Sequence, residues 1–271
     1  MSDLIRIIDC GTSEYRLGNS GDIAFDQEEL TEISSPQNFI NTFRKELTGA
    51  KRVIYIEKNT PNFETRASIV EGLFESLNID KIMIVKSATM SLYSIGKSSG
   101  FVHESSESKN EIVCVEDGYI DGQYTKTSVC PIESVFNQYK HLASKSDLRR
   151  IVMQKDGPFI LPDSTEINLT NYFTSQQQMY ESFLQQKIYT NPDVLLTGQV
   201  MSKPIFYNAT KKYILEKKGS VLNNPNIPNL FRNSTFIGAS IVSTIDEIED
   251  CFITKAQYSE FGMLLINKQF Q

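Results

Sequence analysis

Asp9, Cys10, Gly11, Thr12 and Ser13 follow an apolar run at Ile7-Ile8, and a cation, Arg16, comes shortly after them. An Asp beside a Gly at the end of a strand most often hydrogen-bonds into the turn. A lone Asp-x-Gly-Thr is a weak signal of function. Other chemistry is thinly supplied. The only histidines are His103 and His141, which argues against a His-rich metal site. Cys10, Cys114, Cys130 and Cys251 form no Cys-x-x-Cys pair, and they read as reduced core thiols. Lys211, Lys212, Lys217 and Lys218 read as a solvated helix face. Asn168, Asn208 and Asn233 each open a glycosylation triplet, which an Asn- and Thr-rich chain produces by chance.

The 271 residues are enough for one large domain or two halves around a cleft. With 40% hydrophobic and 22% charged residues, the chain has the composition of a globular protein. Its net charge of −6 argues against nucleic-acid binding as the main activity. No apolar stretch approaches the roughly 20 residues that span a bilayer. The N-terminal residues carry no signal-peptide pattern, which predicts a cytoplasmic protein, with a nuclear one as the alternative.

Apolar periodicity predicts a hairpin from residues 5–9 and 16–18, a helix over 36–47 and a strand over 52–57. A helix follows over about 62–77, with Phe63, Ala67, Val70, Phe74 and Leu77 on one face, then a strand over 81–86. A short helix over 87–95 ends at Gly96, and 100–103 with 111–116 forms a second hairpin. Residues 121–165 show weak periodicity, broken by Pro131, Pro158 and Pro162. Beyond them lie a polar helix over about 171–188, a strand over 194–197 and helices over 204–218, 236–244 and 255–262. Strand, helix and strand alternate, so the fold class is α/β.

Several segments, in order, resemble actin and the actin-related proteins. Ile7 to Asp22 is similar to the first phosphate-binding hairpin of that family, and Val53 to Glu57 with Asn62 to Phe74 to its "LLTE...PKANRE" passage. Ser91-Leu92-Tyr93-Ser94-Ile95-Gly96 resembles "SLYASG", and Gly100 to Tyr119 resembles "GIVMDSGDG...EGY". Leu195-Leu196-Thr197-Gly198 resembles "VLSGG", Phe236 to Ile241 "WIGGSILASL", and Ile253 to Tyr258 "ISKQEY", with Phe270 near the shared C-terminal end. The resemblance implies an actin-like fold of two α/β halves around a cleft. Residues 1–119 would form the first half, 120–250 the second, and 251–271 would return to the first. Few residues stand between Asp22 and Val53, or between Tyr119 and Val194, for the family's outer subdomains, so subdomains 2 and 4 are expected to be reduced or absent.

The resemblance also places a vestigial nucleotide site at Asp9, Gly11, Thr12, Ser13, Arg16, Glu104 and Gly198. Asp9, Gly11 and Thr12 are kept there, but Ser13 replaces a glycine and Arg16 a phosphate-contacting lysine. The second loop reads Glu104-Ser105-Ser106-Glu107-Ser108: a glutamate stands for the metal-side aspartate and both glycines are gone. Glu104 and Glu107 would face a polyphosphate unfavourably. Ser87 stands where the family has its water-positioning glutamine, Glu111 where it has a histidine, and Gln199 where it has a second glycine. That pattern implies no catalytic residues, no metal ligands and no cofactor, with magnesium and ATP or ADP as the alternative.

In this family subdomains 2 and 4 form the pointed face of a filament subunit and subdomains 1 and 3 the barbed face. The implied function is a structural subunit that caps or anchors the pointed end of an actin-like filament, as in dynactin. The implied partners are actin or actin-related filament subunits and other chains of such an assembly, with no direct nucleic acid and no membrane. The alternatives are an actin-related subunit of a chromatin-remodelling or histone-acetyltransferase complex, and a weak actin-like ATPase.

Overall fold

The computed structural model describes residues 4–11, 15–29, 36–60, 62–106, 109–129, 131–154, 158–185, 192–227 and 229–270. Cα packing divides the chain into two compact units, residues 1–97 with 233–271 and residues 98–232. The division drawn from the sequence, at 119 and 250, follows the resembling motifs rather than packing. Both units are mixed α/β, each built on a multi-stranded sheet. No helix among the described residues is long and apolar enough to cross a membrane.

The first unit starts with strands β1 (Ile5–Cys10), β2 (Tyr15–Asn19) and β3 (Gln27–Glu29), followed by helix α1 (Pro36–Glu46). Strand β4 (Arg52–Glu57), helix α2 (Phe63–Glu71), strand β5 (Lys81–Lys86) and helix α3 (Ser87–Tyr93) complete its N-terminal part. β1, β2 and β3 form an antiparallel meander, and β4 then β5 add to the other side of β1 in parallel. The central strands β1 and β4 are almost continuously apolar and buried, as a sheet covered on both faces requires. α1 lays Phe39 and Phe43 on the sheet, where their rings meet Tyr15 and Tyr55. The helix expected over 62–77 is α2 continued by a π-helical turn at Gly72–Ser76. Gly72 lies against the Ile40 side chain of α1, which leaves no room for a Cβ.

The second unit repeats this plan. β6 (Gly100–Ser105), β7 (Lys109–Glu116) and β8 (Tyr119–Val129) form the meander, and helices α4 (Pro131–Tyr139), α5 (Lys145–Gln154) and α6 (Thr170–Leu184) follow. β9 (Asp193–Thr197), helix α7 (Pro204–Glu216) and β10 (Ser220–Leu222) come next. β9 pairs in parallel with β6, and β10 in parallel with β9. Both sheets therefore have a meander whose first strand is flanked on its free side by two successive parallel strands. One face of the second sheet packs Phe101, Ile112, Val194 and Leu196 against Tyr180 and Phe183 of α6 and Ile214 of α7. A separate cluster joins Ile132 and Phe136 of α4, Leu148 and Val152 of α5, Tyr172 of α6 and Phe206 of α7.

The chain continues through α8 (Leu230–Val242), β11 (Ile253–Thr254) and α9 (Lys255–Gln269), and from Asn233 onward it belongs to the first unit. The helix expected from residue 236 thus begins at 230. Its small residues let α8 approach α3: Ser234 Oγ donates to Ser91 Oγ at 3.1 Å, and Gly238 lies on the Met90 carbonyl, where a Cβ would clash with backbone. β11 adds antiparallel to β5, and Thr254 with Gln257 forms a capping box that starts α9. The helix expected to stop at 262 runs on to 269 across a break at Gly262, whose φ is 59°. Of the four cysteines, Cys10, Cys114 and Cys251 are free thiols; Cys251 is exposed rather than in the core, and Cys130 lies outside the described residues.

A buried ionic cluster ties this unit together. Glu57, at the end of β4, accepts from Arg66 Nε at 2.7 Å and Nη2 at 2.6 Å, and from Lys86 Nζ at 2.6 Å. Arg66 Nη1 also donates to Asn267 of α9 at 3.1 Å. Burial lowers the Lys86 ammonium from its ordinary value, and the contact with Glu57 works the other way. Removing one partner of such a pair leaves uncompensated charge inside the protein. Glu57→Gln, which leaves two cations facing each other, is expected to lower the unfolding free energy by about 3–5 kcal/mol. Arg66→Met should cost less, because Lys86 still neutralises Glu57; urea titration of both variants checks the ordering.

Candidate functional site

The first hairpin positions Asp9 and Arg16 as direct cross-strand partners, so both side chains lie on one face of the sheet. Asp9 is 3% exposed and Arg16 8%. Arg16 Nη1 donates to Asp9 Oδ2 at 3.1 Å, and Thr235 Oγ1 of α8 donates to the same oxygen at 2.7 Å. The guanidinium that the resemblance offers to a phosphate is held by Asp9 and also lies over the Phe25 ring. The partners that hold Asp9 are the facing strand and a helix far along the chain. Gly11 follows β1, whereas Thr12 and Ser13 lie outside the described residues. Burial, reinforced by the Asp9 carboxylate, pushes the neighbouring Cys10 thiol well up, which suppresses its thiolate form.

In the second unit Glu104, Glu111, Thr127 and Thr197 occupy one row across four strands. Glu111 is buried, accepts from Thr127 Oγ1 at 3.1 Å and pairs with Lys109 Nζ at 2.5 Å. Its charge is therefore compensated within β7. Glu104 is half-buried, and Glu107 and Ser108 lie outside the described residues. The structure does bring the Glu104 and Gly198 segments together, because β6 and β9 pair in parallel with Glu104 opposite Thr197. Gly198 has φ +97°, its N–H donates to Phe231 O at 2.7 Å, and its Cα faces the Ser105 backbone. A side chain there would collide with that backbone, so this glycine is required by strand-end packing.

Ser87 is fully buried at the start of α3. Its hydroxyl and the Ala88 N–H both donate to Asn59 Oδ1, at 3.0 and 2.8 Å, so Asn59 caps the helix from outside its sequence. Sequence reasoning missed Asn59, Thr235 and Lys109. Only Lys109 carried a usable signal: it stands two positions from Glu111 on the same strand face. Among the described residues, no group of three or more His, Cys, Asp or Glu side chains is placed to hold a metal ion.

No protein-family model matches this chain, and no curated protein matches it.

A second buried titratable group, His103, lies next to Glu104 but on the opposite face of β6. Its Nε2 meets Asn110 Oδ1 at 2.8 Å and its Nδ1 meets the Tyr180 hydroxyl at 2.7 Å. With the Nε2 proton donated to Asn110, Nδ1 accepts from Tyr180, so both ring nitrogens are satisfied in the neutral form. Burial lowers its pKa from 6.5 to about 4, and the bond to Asn110 opposes that shift. Between those values the unfolded chain binds a proton that the folded chain refuses. Stability is therefore fully present above pH 6.5 and falls as the pH drops towards 4, by about 3 kcal/mol from this group. His103→Gln should remove that part of the acid-side loss, which urea midpoints measured across this pH range for both proteins will show.

Proposed function

We propose that this chain is a non-catalytic, actin-related structural subunit that caps or anchors the pointed end of an actin-like filament within a larger assembly. The observation that carries this reading is the buried Asp9–Arg16–Thr235 set: the cation best placed to meet a phosphate, Arg16, is neutralised by Asp9. The order of the resembling segments supports the family assignment. So do two units with the same sheet order, which fit a chain of two α/β halves.

The residues present do not fit a magnesium nucleotide. Arg16 is engaged by Asp9, the loop after β6 has serines where the family has glycines, and Glu111 is compensated by Lys109. No step of phosphoryl transfer is therefore assigned to the chain.

The capping role rests on the connections between strands. In the first unit, the described residues between β2 and β4 hold only β3 and α1, which is too little chain for a further subdomain on that side. In the second unit the corresponding link holds α4, α5 and α6 around their own core, so the reduced outer subdomain is read from the first unit alone. A subunit that keeps the barbed face and reduces the pointed one can dock on a filament end and offer no site to the next subunit. Exposed Phe261 and Leu264 on α9 supply apolar surface of the kind a partner chain covers.

Purified protein added to seeded filaments of actin and of the dynactin type is expected to slow elongation at one pointed end and to show no ATP-dependent rise in melting temperature. Normal elongation at the pointed ends of both filaments would sink the capping role. Recovery of a chromatin-remodelling ATPase as the partner in native cells would replace it with the nuclear alternative.

A further inference from the structure

Helices α2 and α9 run antiparallel within the first unit. At the start of α9, Lys255 Nζ donates to Phe74 O at 2.7 Å and Tyr258 stacks on Phe74, while near its end Asn267 meets Arg66. The solvent side of this pair carries large apolar groups. Leu264, 83% exposed, is the most exposed large apolar side chain among the described residues; Phe63 of α2 is 61% exposed and Phe261 of α9 53%. Leu264 lies one helical turn from Asn267, and Phe63 one turn from Arg66, whose guanidinium sits 5.4 Å from the Phe63 ring centroid. The Arg66–Asn267 bond therefore brings Phe63 and Leu264 to the same end of the pair. Met263-Leu264-Leu265-Ile266 is a run of four apolar residues in which Ile266 alone is buried. Single exposed apolar residues are ordinary, but such a run on a helix surface is a fault unless something covers it. Gly262 aims it outward: its φ of 59° breaks the helix just ahead of the run, and a Cβ there would meet nothing within 4 Å, so the glycine serves the turn and not packing.

The charges around this face are one-sided. Glu64, next to Phe63, Glu71, and Glu260, next to Phe261, are exposed and make no ion pair among the described residues. Burial first, and then the Glu71 and Glu75 carboxylates, raise the Tyr258 hydroxyl from its ordinary value, which places Glu71 beside α9. Arg66 is engaged by Glu57, and Lys255 by Glu75 at 3.6 Å and by the Phe74 carbonyl. Lys268 alone is left on the two helices to offset three carboxylates. We infer that the α2–α9 face docks a basic amphipathic helix of another chain, whose apolar side covers Phe63, Phe261 and Leu264 and whose Lys or Arg residues meet Glu64, Glu71 and Glu260. The inference names the partner chemistry for the exposed surface of α9 and rests on the reading of this chain as a subunit of a larger assembly. A second copy is a poorer occupant, because the acidic rim would face itself across a two-fold contact. An anionic lipid surface is repelled by the same carboxylates.

The probe is a fluorescein-labelled peptide of about 14 residues with leucines at helical spacing among lysines. One control has the same composition scrambled, and another has glutamates in place of the lysines. Fluorescence anisotropy with the full chain is expected to give saturable binding in the micromolar range that weakens with salt, and at least tenfold weaker binding of both controls. Leu264→Ser and Phe261→Ser, both at exposed positions, should keep the wild-type Tm and bind about tenfold more weakly. Glu71→Gln with Glu260→Gln should weaken binding about fivefold and flatten its salt dependence. Asp246→Asn with Glu247→Gln, an equal loss of exposed charge elsewhere on the same unit, should leave it unchanged. Equal affinity in the wild type and the folded Leu264→Ser and Phe261→Ser variants, or equal losses from the two charge pairs, would overturn the proposal. So would a dimer in sedimentation equilibrium that Leu264→Ser dissociates, since a second copy would then be the occupant. The two readings fail separately. A chain that leaves pointed-end elongation unchanged yet binds the peptide through Leu264 loses the capping role and keeps this site, whereas one that caps yet binds equally with and without Leu264 keeps the role and loses the site.

Discussion

The Glu57 carboxylate stands between two cations in the interior of the first unit, and most of that unit's secondary structure meets there. β4 supplies the carboxylate, α2 the guanidinium, β5 the ammonium, and α9 contributes Asn267 through the same guanidinium. Arg66 is 2% exposed, so almost none of its charge is solvated by water. A fully apolar replacement of the same shape could be as stable. What the ionic version adds is direction: a planar fork accepts a carboxylate in few orientations, so α2 has one register on the sheet. Phe74 stacking on Tyr258 and Lys255 Nζ donating to Phe74 O hold the start of α9 in the same place.

The same logic explains the first hairpin. Asp9 and Arg16 are forced onto one sheet face by cross-strand pairing, and α8 closes over them with Thr235. In both clusters a charged group that could face a ligand instead fixes one element against another. Glu111 and Lys109 do so on a smaller scale within one strand. Polar satisfaction in these places is structural, whereas Gln176 Oε1 of α6 and Thr210 Oγ1 of α7 are buried with no partner among the described residues.

Legibility in the sequence follows the strength of the apolar pattern. β1, β4, β5 and β9 were legible because each is a short, nearly continuous apolar run, and α1 because Phe39, Phe43 and Leu47 repeat at helical spacing. β8 was not, since most of its residues are exposed or half-buried and no alternation marks its inner face. α9 looked shorter because Gly262 interrupts the pattern, although Ile266 is fully buried beyond the break. At the candidate site the pairing of Asp9 with Arg16 could be read from a hairpin register. The approach of Thr235 could not, because it depends on the chain returning to the first unit at residue 233, after the whole of the second unit in sequence.

That return shapes how the protein is made. Residues 98–232 form their unit from one continuous stretch, while the first unit needs residues from both ends of the chain. During synthesis the second unit can fold as soon as it has emerged, yet the β5 edge waits for β11 and Arg66 waits for Asn267. Until then the nascent first unit presents an open strand edge and an incomplete core, the kind of surface that chaperones shield and other chains pair with. The yield of folded protein in cells therefore depends on how long that half-finished unit is exposed on the ribosome.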